Sequence, residues 1–416
     1  LDNTTAAQTK RGDQLTPERV IALALSRNPS LAEMAEAVIA ASARVEPAGI
    51  LDDPTVSYAL APATITNSSV TTGQRIEISQ SLPWPGKLAA QEEAARQRAM
   101  AARESRAQQR LEVVTAAKAA FAEWYFVHQA LRLNRENRQL LEDLRASADA
   151  RFAGGRGLQQ DVLQAEVAIA RLEERRLHLQ QERNAVKARL NALMNKAPDS
   201  TLPPPSTLPP PQALPPLRAL IERASVNHPK LRILEHQVAE QSADARLAKK
   251  EFYPDVRISG GYNSLWEAPE KRWTLGVSIN IPFNQSQRQA KLDAARADRR
   301  RAEWRLADRR AELLEDVTRL YSEVERVSST IELFRERLLP LSRDTFDVSV
   351  AEYESGAGNF LDVIEAERNK LEIENSALRA RADHYRARAN LEFWVGGPLD
   401  EAASQTSQKQ DQRGNR

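Results

Sequence analysis

The chain carries the same long pattern twice, and this internal duplication constrains its fold more than any single residue does. Asn28-Pro29 recurs as His228-Pro229. The motif Gly155-x-Gly157-x-x-x-Asp161-Val-x-x-Ala-Glu166 recurs as Gly356-x-Gly358-x-x-x-Asp362-Val-x-x-Ala-Glu367. A repeat of roughly 180 residues is far longer than a solenoid unit, so each copy is a domain-sized half.

Composition favours long helices over large compact cores. Aromatic residues make up only 5% of the 416 positions and charged residues 28%. The net charge of +2 gives no electrostatic case for nucleic acid. The chain as given has no cysteine, which excludes disulfides, cysteine metal sites and a lipidated N-terminal cysteine. No run of 18 apolar residues predicts a membrane-spanning helix, and a signal peptide is expected to have been removed already.

Each half predicts one pair of short strands, at about 55–60 and 74–82, then at about 255–263 and 273–281. Apolar and polar residues alternate with period two along all four segments, which predicts sheets with one apolar face. The strands approach the roughly 9–11 residues that a tilted strand needs to cross hydrocarbon. Aromatics gather at the strand ends and resemble an interfacial girdle, although an ordinary half-buried sheet with edge aromatics is the alternative. These aromatics are Tyr58, Trp84, Tyr253, Tyr262, Trp266, Trp273 and Phe283.

Two helical hairpins follow the strand pairs, at 87–195 and 287–395. The segment 87–152 lacks glycine and proline and would reach roughly 100 Å as one helix. The second hairpin is interrupted at most by a bend at Pro340. Alanine-rich apolar faces predict close packing of the arms, as in coiled coils.

The predicted organisation places each strand pair and hairpin within one structural repeat. Residues 1–14 form a flexible N-terminal segment, 15–197 the first repeat and 217–397 the second repeat. The proline-rich segment 198–216 is an extended linker, and 398–416 is a disordered tail.

Four strands cannot close a barrel, and open sheet edges are not tolerated in lipid. Three copies would supply 12 strands, within the range of outer-membrane barrels. The predicted fold class is therefore mainly α with a small β part. Long α-helical hairpins form a trimeric α-barrel tunnel, continuous with a 12-stranded transmembrane β-barrel to which each protomer gives four strands.

On these features the chain resembles the outer-membrane efflux proteins, the TolC-like family. The segment Glu77-Ile-Ser-Gln-Ser-Leu-Pro-Trp-Pro-Gly-Lys87 is similar to the heavy-metal branch of the CzcC and CusC type. The resemblance implies an outer-membrane homotrimer with a long periplasmic extension. It also implies a periplasmic membrane-fusion adaptor as partner and, indirectly, an inner-membrane pump of the RND type.

Three acidic residues are candidates for the periplasmic gate. Asp362 and Glu365 are spaced i, i+3, so both lie on one helix face just past the second tip. In a threefold tube they would form stacked rings that concentrate cations, and by resemblance they match the family's acidic ring. Asp161 is the third candidate. For both Asp161 and Asp362 the alternative is a carboxylate in a first helical turn that favours the helix dipole.

The hairpin tips are the candidate docking surface for the adaptor. Their glycines allow a sharp reversal between antiparallel helices. Arg151, Phe152 and Tyr353 would add side-chain contacts. The residues assigned to the tips are Gly154, Gly155, Gly157, Leu158, Gly356, Gly358, Asn359 and Phe360.

No metal site, cofactor or catalytic constellation is predicted. The five histidines are scattered, without an i, i+4 pair, and a passive conduit needs no tight site. The leading hypothesis is an efflux channel for heavy-metal cations. The alternatives are the same conduit for drugs or other small molecules, and a periplasmic adaptor or coiled-coil scaffold without a pore.

Overall fold

A computed structural model describes residues 14–65, 72–266 and 268–399 of the chain. Nearly all of the predicted N-terminal segment and tail therefore lies outside the described residues. The described part is mainly helical, with one small sheet, as the sequence predicts. The helices are α1 Pro17–Arg27, α2 Pro29–Ala43, α3 Val45–Gly49, α4 Lys87–Ala153, α5 Gln159–Leu193, α6 Leu217–Asn227, α7 Pro229–Lys250, α8 Gln285–Leu333, α9 Leu339–Ser355 and α10 Phe360–Val395. The strands are β1 Thr55–Leu60, β2 Gln74–Leu82, β3 Val256–Asn263 and β4 Trp273–Ile279.

The chain divides into two compact units that cut across the predicted repeats. Unit 1 takes Leu1–Ala32, Gln108–His228 and Glu312–Arg416, and unit 2 takes Glu33–Ala107 and Pro229–Ala311. Each unit thus draws segments from both halves of the sequence. The assignment of the repeats as domains stays a prediction.

Unit 1 has its main core around an aromatic stretch of α4. Phe121, Trp124, Tyr125 and Phe126 are all at most 3% exposed. They belong to a cluster that also includes residues of α1 and α5. The predicted linker segment 198–216 contacts this core: the Trp124 indole N–H donates to the carbonyl of Pro203 over 3.1 Å.

The longest helix forms in a segment without glycine or proline, and the second outbound arm is interrupted next to a proline. Helix α4 is continuous over 67 residues. The second outbound arm is not one α-helix, because a π-helical turn at Phe334–Leu338 separates α8 from α9. Pro340 lacks an N–H, and its ring would clash with the carbonyl of Glu336, so the wider turn accommodates it. This interruption of the α-helix lies just before Pro340, the position of the predicted bend.

Unit 2 contains the sheet, whose strands lie in the order β1-β2-β3-β4 with every neighbouring pair antiparallel. Strand β4 ends at Ile279 rather than at the predicted Ile281. Asn280 still donates its N–H to the carbonyl of Asp255 over 3.0 Å, but Pro282 has no N–H with which to extend the ladder. Within the described residues, no helix is both long enough and apolar enough to cross a membrane.

Candidate functional site: an apolar sheet face and two hairpin tips

The sheet places its apolar residues on one face and leaves that face uncovered. The register aligns Tyr58, Ile76, Tyr262 and Trp273 as a row across all four strands. Leu275 is 93% exposed and Trp273 is 75% exposed. Such exposure is rare for large apolar side chains on a protein surrounded by water. The other strand residues of this face that are exposed are Val56, Leu60, Ile78, Ile258, Val277 and Ile279.

The opposite face of the sheet is small and polar, because side chains alternate along each strand. It carries serines and threonines together with Arg75, Glu77 and Arg257. The outer strands β1 and β4 each pair with one neighbour within the described chain. Both outer edges of the sheet therefore keep backbone groups available for a further strand.

The predicted interface aromatics divide between the two ends of the sheet. Tyr262 and Trp273 pack edge to face with ring centroids 5.3 Å apart at the loop end, where Trp266 also lies. At the helix end, Trp84 and Tyr253 stack with centroids 5.1 Å apart. Tyr58 joins the loop-end row, and Phe283 follows β4 at the helix end, 85% exposed.

A partly buried ion pair fixes the helix end of the sheet. Lys87 Nζ lies 2.8 and 2.9 Å from the two carboxylate oxygens of Asp255. Asp255 Oδ1 also accepts the backbone N–H of Trp84 over 2.7 Å. Asp255 thus ties the start of α4 to the start of β3. Sequence reasoning missed this joint, because its partners are far apart in the chain.

The two hairpin tips have the same backbone construction. Gly155 and Gly356 end α4 and α9 in the left-handed region, with φ of +71° and +81°. The N–H of Arg156 then donates back to the carbonyl of Arg151 over 2.8 Å, and Ala357 repeats this bond to Glu352 over 2.9 Å. Glycine is favoured at such helix ends because a Cβ is strained at positive φ.

The second glycine of each tip lies close to the last turn of the preceding helix. A Cβ on Gly358 would lie 3.0 Å from the Cβ of Glu352. A Cβ on Gly157 would lie 3.1 Å from the Cβ of Arg151. Together the two glycines of each tip explain the predicted Gly-x-Gly motif.

Side chains connect the two tips within one chain. The Tyr353 hydroxyl donates to Asp161 Oδ2 over 3.4 Å. Burial and the Asp161 carboxylate raise the pKa of the Tyr353 phenol, so the hydroxyl keeps its proton. The guanidinium of Arg151 lies 4.6 Å from the centre of the Tyr353 ring and donates to the carbonyl of Glu354 over 3.2 Å.

Two of the three aromatic residues predicted at the docking surface, Tyr353 and Phe360, are buried. Phe360 is 2% exposed and Tyr353 is 6% exposed, with ring centroids 5.1 Å apart. They are core residues that hold the tips together, because their rings face the neighbouring helices. Leu158 and Phe152 are the exposed apolar residues of the tips, at 65% and 44%.

The three predicted gate acids occupy different surroundings. Asp362 and Glu365 are both exposed on α10. Asp161 is only partly exposed, and its side chain accepts the N–H of Leu158 over 3.5 Å as well as the Tyr353 hydroxyl. Asp161 therefore contacts both the start of α5 and the other tip, and its place in a gate stays a prediction.

A fourth acid, Glu367, was overlooked as a site residue although it ends the repeated motif. It is 3% exposed, whereas its counterpart Glu166 is half exposed and pairs with Arg145 over 3.7 Å. Desolvation raises the pKa of the Glu367 carboxyl to about 7. Within the described residues, no three acidic or histidine side chains form a metal-binding group.

Comparison with known proteins agrees with this architecture. A family model described as outer membrane efflux protein matches residues 220–397. Nodulation protein T of Rhizobium leguminosarum bv. trifolii is 22% identical over 185 residues, which are 42% of this chain and 39% of that protein. The cobalt-zinc-cadmium resistance protein CzcC of Cupriavidus metallidurans is 22% identical over 178 residues, or 42% of each chain. The matches thus span about two fifths of the length of these relatives.

The solved structure of CusC, described in terms of transmembrane channel formation, has the same fold. It superposes with a TM-score of 0.80 at 19% identity and covers 92% of both chains. The long helical hairpins and the small four-stranded sheet of this chain therefore have the fold of CusC. Residues 220–397 of this chain are thus similar to the outer membrane efflux proteins.

Proposed function

We propose that this chain is the outer-membrane channel of a tripartite efflux system and works as a homotrimeric, passive conduit. The observation that carries the proposal is the four-stranded sheet, with an exposed apolar face, a polar face and two open edges. Lipid would cover the apolar face, and water in a pore would contact the polar face. Strands of neighbouring copies would pair with the open edges, because unpaired backbone groups are costly in hydrocarbon.

The spacing of the aromatics supports the same proposal. Tyr253 lies three residues before β3 and Tyr262 lies near its end, so the two are at most roughly 30 Å apart at about 3.4 Å per residue. A strand tilted by about 40° then spans close to the 25 Å height of an outer-membrane apolar band. The seven aromatics would form two girdles at the membrane interfaces.

We assign heavy-metal cations as the substrate class. The support is the match to CzcC, a cobalt-zinc-cadmium resistance protein, together with the exposed carboxylates Asp362 and Glu365, which would attract cations at an entrance. The match to a nodulation protein favours the second candidate, a conduit for other small molecules. A strain lacking the gene decides between them: sensitivity confined to zinc, cobalt, cadmium, copper or silver supports metals, and sensitivity to dyes or antibiotics contradicts this assignment.

The hairpin tips would dock onto a periplasmic adaptor that connects to an RND-type pump. The exposed residues Leu158 and Asn359 are the best positions for a crosslinking probe. Each lies next to a tip glycine, but neither is a glycine whose backbone packs closely against the preceding helix. The chain has no cysteine, so a single introduced cysteine at either position reports one site. Crosslinking to a co-expressed adaptor should succeed from these positions and not from exposed Arg218 on α6. Failure at both tip positions would refute tip docking.

Conduction itself is tested in planar lipid bilayers with purified trimer. The proposal predicts discrete conductance steps that need no pump and no energy source. A correctly folded trimer that never conducts, even after the tip contact is removed by Tyr353→Phe, would favour the scaffold alternative. The Tyr353→Phe change removes the hydroxyl donated to Asp161 and leaves the buried ring in place.

A further inference from the structure

A groove between α5 and α10 in unit 1 combines apolar walls with one buried carboxyl group. Its volume is about 670 Å³, which is within the range of sites for drug-sized ligands. Leu163 and Val167 of α5 and Leu361 and Leu371 of α10 line it, and Leu141 of α4 adds a further apolar residue. Three of these, Leu163, Val167 and Leu361, are about half exposed. Apolar area of this kind is available to a ligand.

Glu367 lines this groove and is nine-tenths buried, yet its carboxyl is not fully satisfied. Its Oε1 makes no hydrogen bond to any part of the chain that the structure describes. A buried acceptor without a donor costs free energy, and more so when it is charged. A ligand that brings a positively charged N–H donor would remove this cost.

The other charged groups that line the groove are three arginines and two glutamates. Arg171 and Arg175 extend from α5, and Glu365, Arg368 and Glu372 extend from α10; all five are exposed and screened by water. Two further charges lie closer to Glu367: Lys370 favours the ionised form of the Glu367 carboxyl, and Glu374 disfavours that form. Both of these have partners toward α9: Lys370 Nζ lies 4.2 Å from the centre of the Phe346 ring, and Glu374 lies 3.7 Å from Arg343.

We infer that this groove is a binding site for hydrophobic ammonium compounds, whose cationic nitrogen donates to Glu367 while the apolar part packs against α5 and α10. The ammonium group would pair with the one buried carboxylate, and the hydrocarbon part would cover Leu163, Val167 and Leu361. The groove has Glu365 in common with the predicted gate, but binding of the amine needs neither a pore nor a partner protein. Nothing in this binding depends on the proposed conduction.

The linkage between protonation and binding gives the proposal a distinctive signature. The carboxyl binds a cation in its ionised form, and burial raises the pKa of Glu367 to about 7. Affinity for the amine should therefore rise as pH increases from 5.5 to 8. Binding at pH 6 should release a proton, because the ammonium group favours the ionised carboxyl.

The test is a fluorescence titration of the full-length protein in lipid nanodiscs with dansylcadaverine, a hydrophobic amine, and with its neutral N-acetyl derivative. Empty nanodiscs provide the blank. Glu367→Gln should weaken binding of the amine about tenfold or more, the amount expected for losing a buried charge-assisted bond. Glu166→Gln, the same change at the exposed position of the other repeat, should leave affinity within about twofold, as expected for an exposed ion pair.

A second variant covers the case in which Glu367→Gln alters the fold. Val167→Arg, at a half-exposed position on the groove wall, should repel the amine without disturbing the core. Equal binding by wild type and Glu367→Gln would overturn the proposal. So would equal binding of the neutral derivative, or affinity that does not change with pH. If the protein binds the amine but shows no conductance in bilayers, the channel proposal is contradicted and the binding-site proposal is not.

Discussion

At the scale of single residues, Glu367 makes the stability of unit 1 depend on pH. Its pKa is raised from 4.5 to about 7 because burial disfavours the charged form. The folded state therefore holds this proton more tightly than the unfolded state, and the resulting stabilisation is complete below pH 4.5 and is lost as pH rises through 7.

Glu367→Gln should consequently be more stable than wild type at pH 8, by up to roughly 3 kcal/mol for a shift of this size. Near pH 4 the two proteins should unfold alike. Urea unfolding of the solubilised protein at both pH values measures this difference, and Glu166→Gln is the matched control. If the difference in unfolding free energy between wild type and Glu367→Gln is the same at both pH values, the Glu367 carboxyl is not desolvated.

The exposed pair Asp362 and Glu365 gives a second prediction at this scale. If the two carboxylates ring an entrance, Asp362→Asn with Glu365→Gln should lower cation selectivity and weaken block by trivalent cations. Reversal potentials in asymmetric salt measure the selectivity. Asp149→Asn with Glu354→Gln removes the same charge from exposed positions near the tips and should have the smaller effect. If both double variants lower cation selectivity equally, the effect comes from general surface charge and not from a ring at the entrance.

At the scale of elements, the ion pair Lys87–Asp255 holds the helix end of the sheet. The Lys87 side chain is 11% exposed and its ammonium contacts both carboxylate oxygens. Lys87→Met should destabilise unit 2 by about 1–3 kcal/mol, because Asp255 keeps a partly buried charge without its partner. Lys291→Met breaks a pair with Glu251 that is far more exposed, so it should cost less than about 1 kcal/mol. The urea midpoints of the two variants measure the difference. Equal losses of stability would contradict the role of burial at Lys87.

The tip of the first hairpin allows a backbone prediction with a neighbouring control. A Cβ at Gly155 would meet nothing within 4 Å, so only its φ of +71° opposes a side chain. Gly155→Ala should therefore cost about 1–2 kcal/mol locally. A Cβ at Gly154 would make ordinary contact with the Ala150 carbonyl at 3.4 Å, and Gly154→Ala should be neutral or stabilising. Amide hydrogen exchange in the last turn of α4 should accelerate for Gly155→Ala alone.

The sequence predicts elements well where the signal is local. Period-two alternation predicts the four strands and their apolar face, and the glycine pairs predict both tips. The failures concern contacts between distant segments. Glu367 and Glu166 end the same motif, yet only Glu367 is buried. Likewise, no nearby residue signals that Phe360 is buried or that Asp255 pairs with Lys87.

At the scale of the whole molecule, the central claim is that the sheet is one third of a closed barrel. Strand β1 would then pair with β4 of a neighbouring copy, since these are the two edges left open in the order β1-β2-β3-β4. Ser57 on β1 and Ser278 on β4 both belong to the polar face. Cysteines at these positions would lie on the same side of the joined sheet and within reach of a short crosslinker.

The most direct test is therefore crosslinking of Ser57→Cys with Ser278→Cys by a short bismaleimide in outer-membrane preparations. A barrel closed by three copies should give a covalently closed trimer for the double variant. It should give no comparable product for either single variant, because each then has a cysteine on only one side of the junction. Double-variant protein that stays monomeric, although both cysteines react with a single-ended maleimide, would contradict barrel closure by copies of the chain.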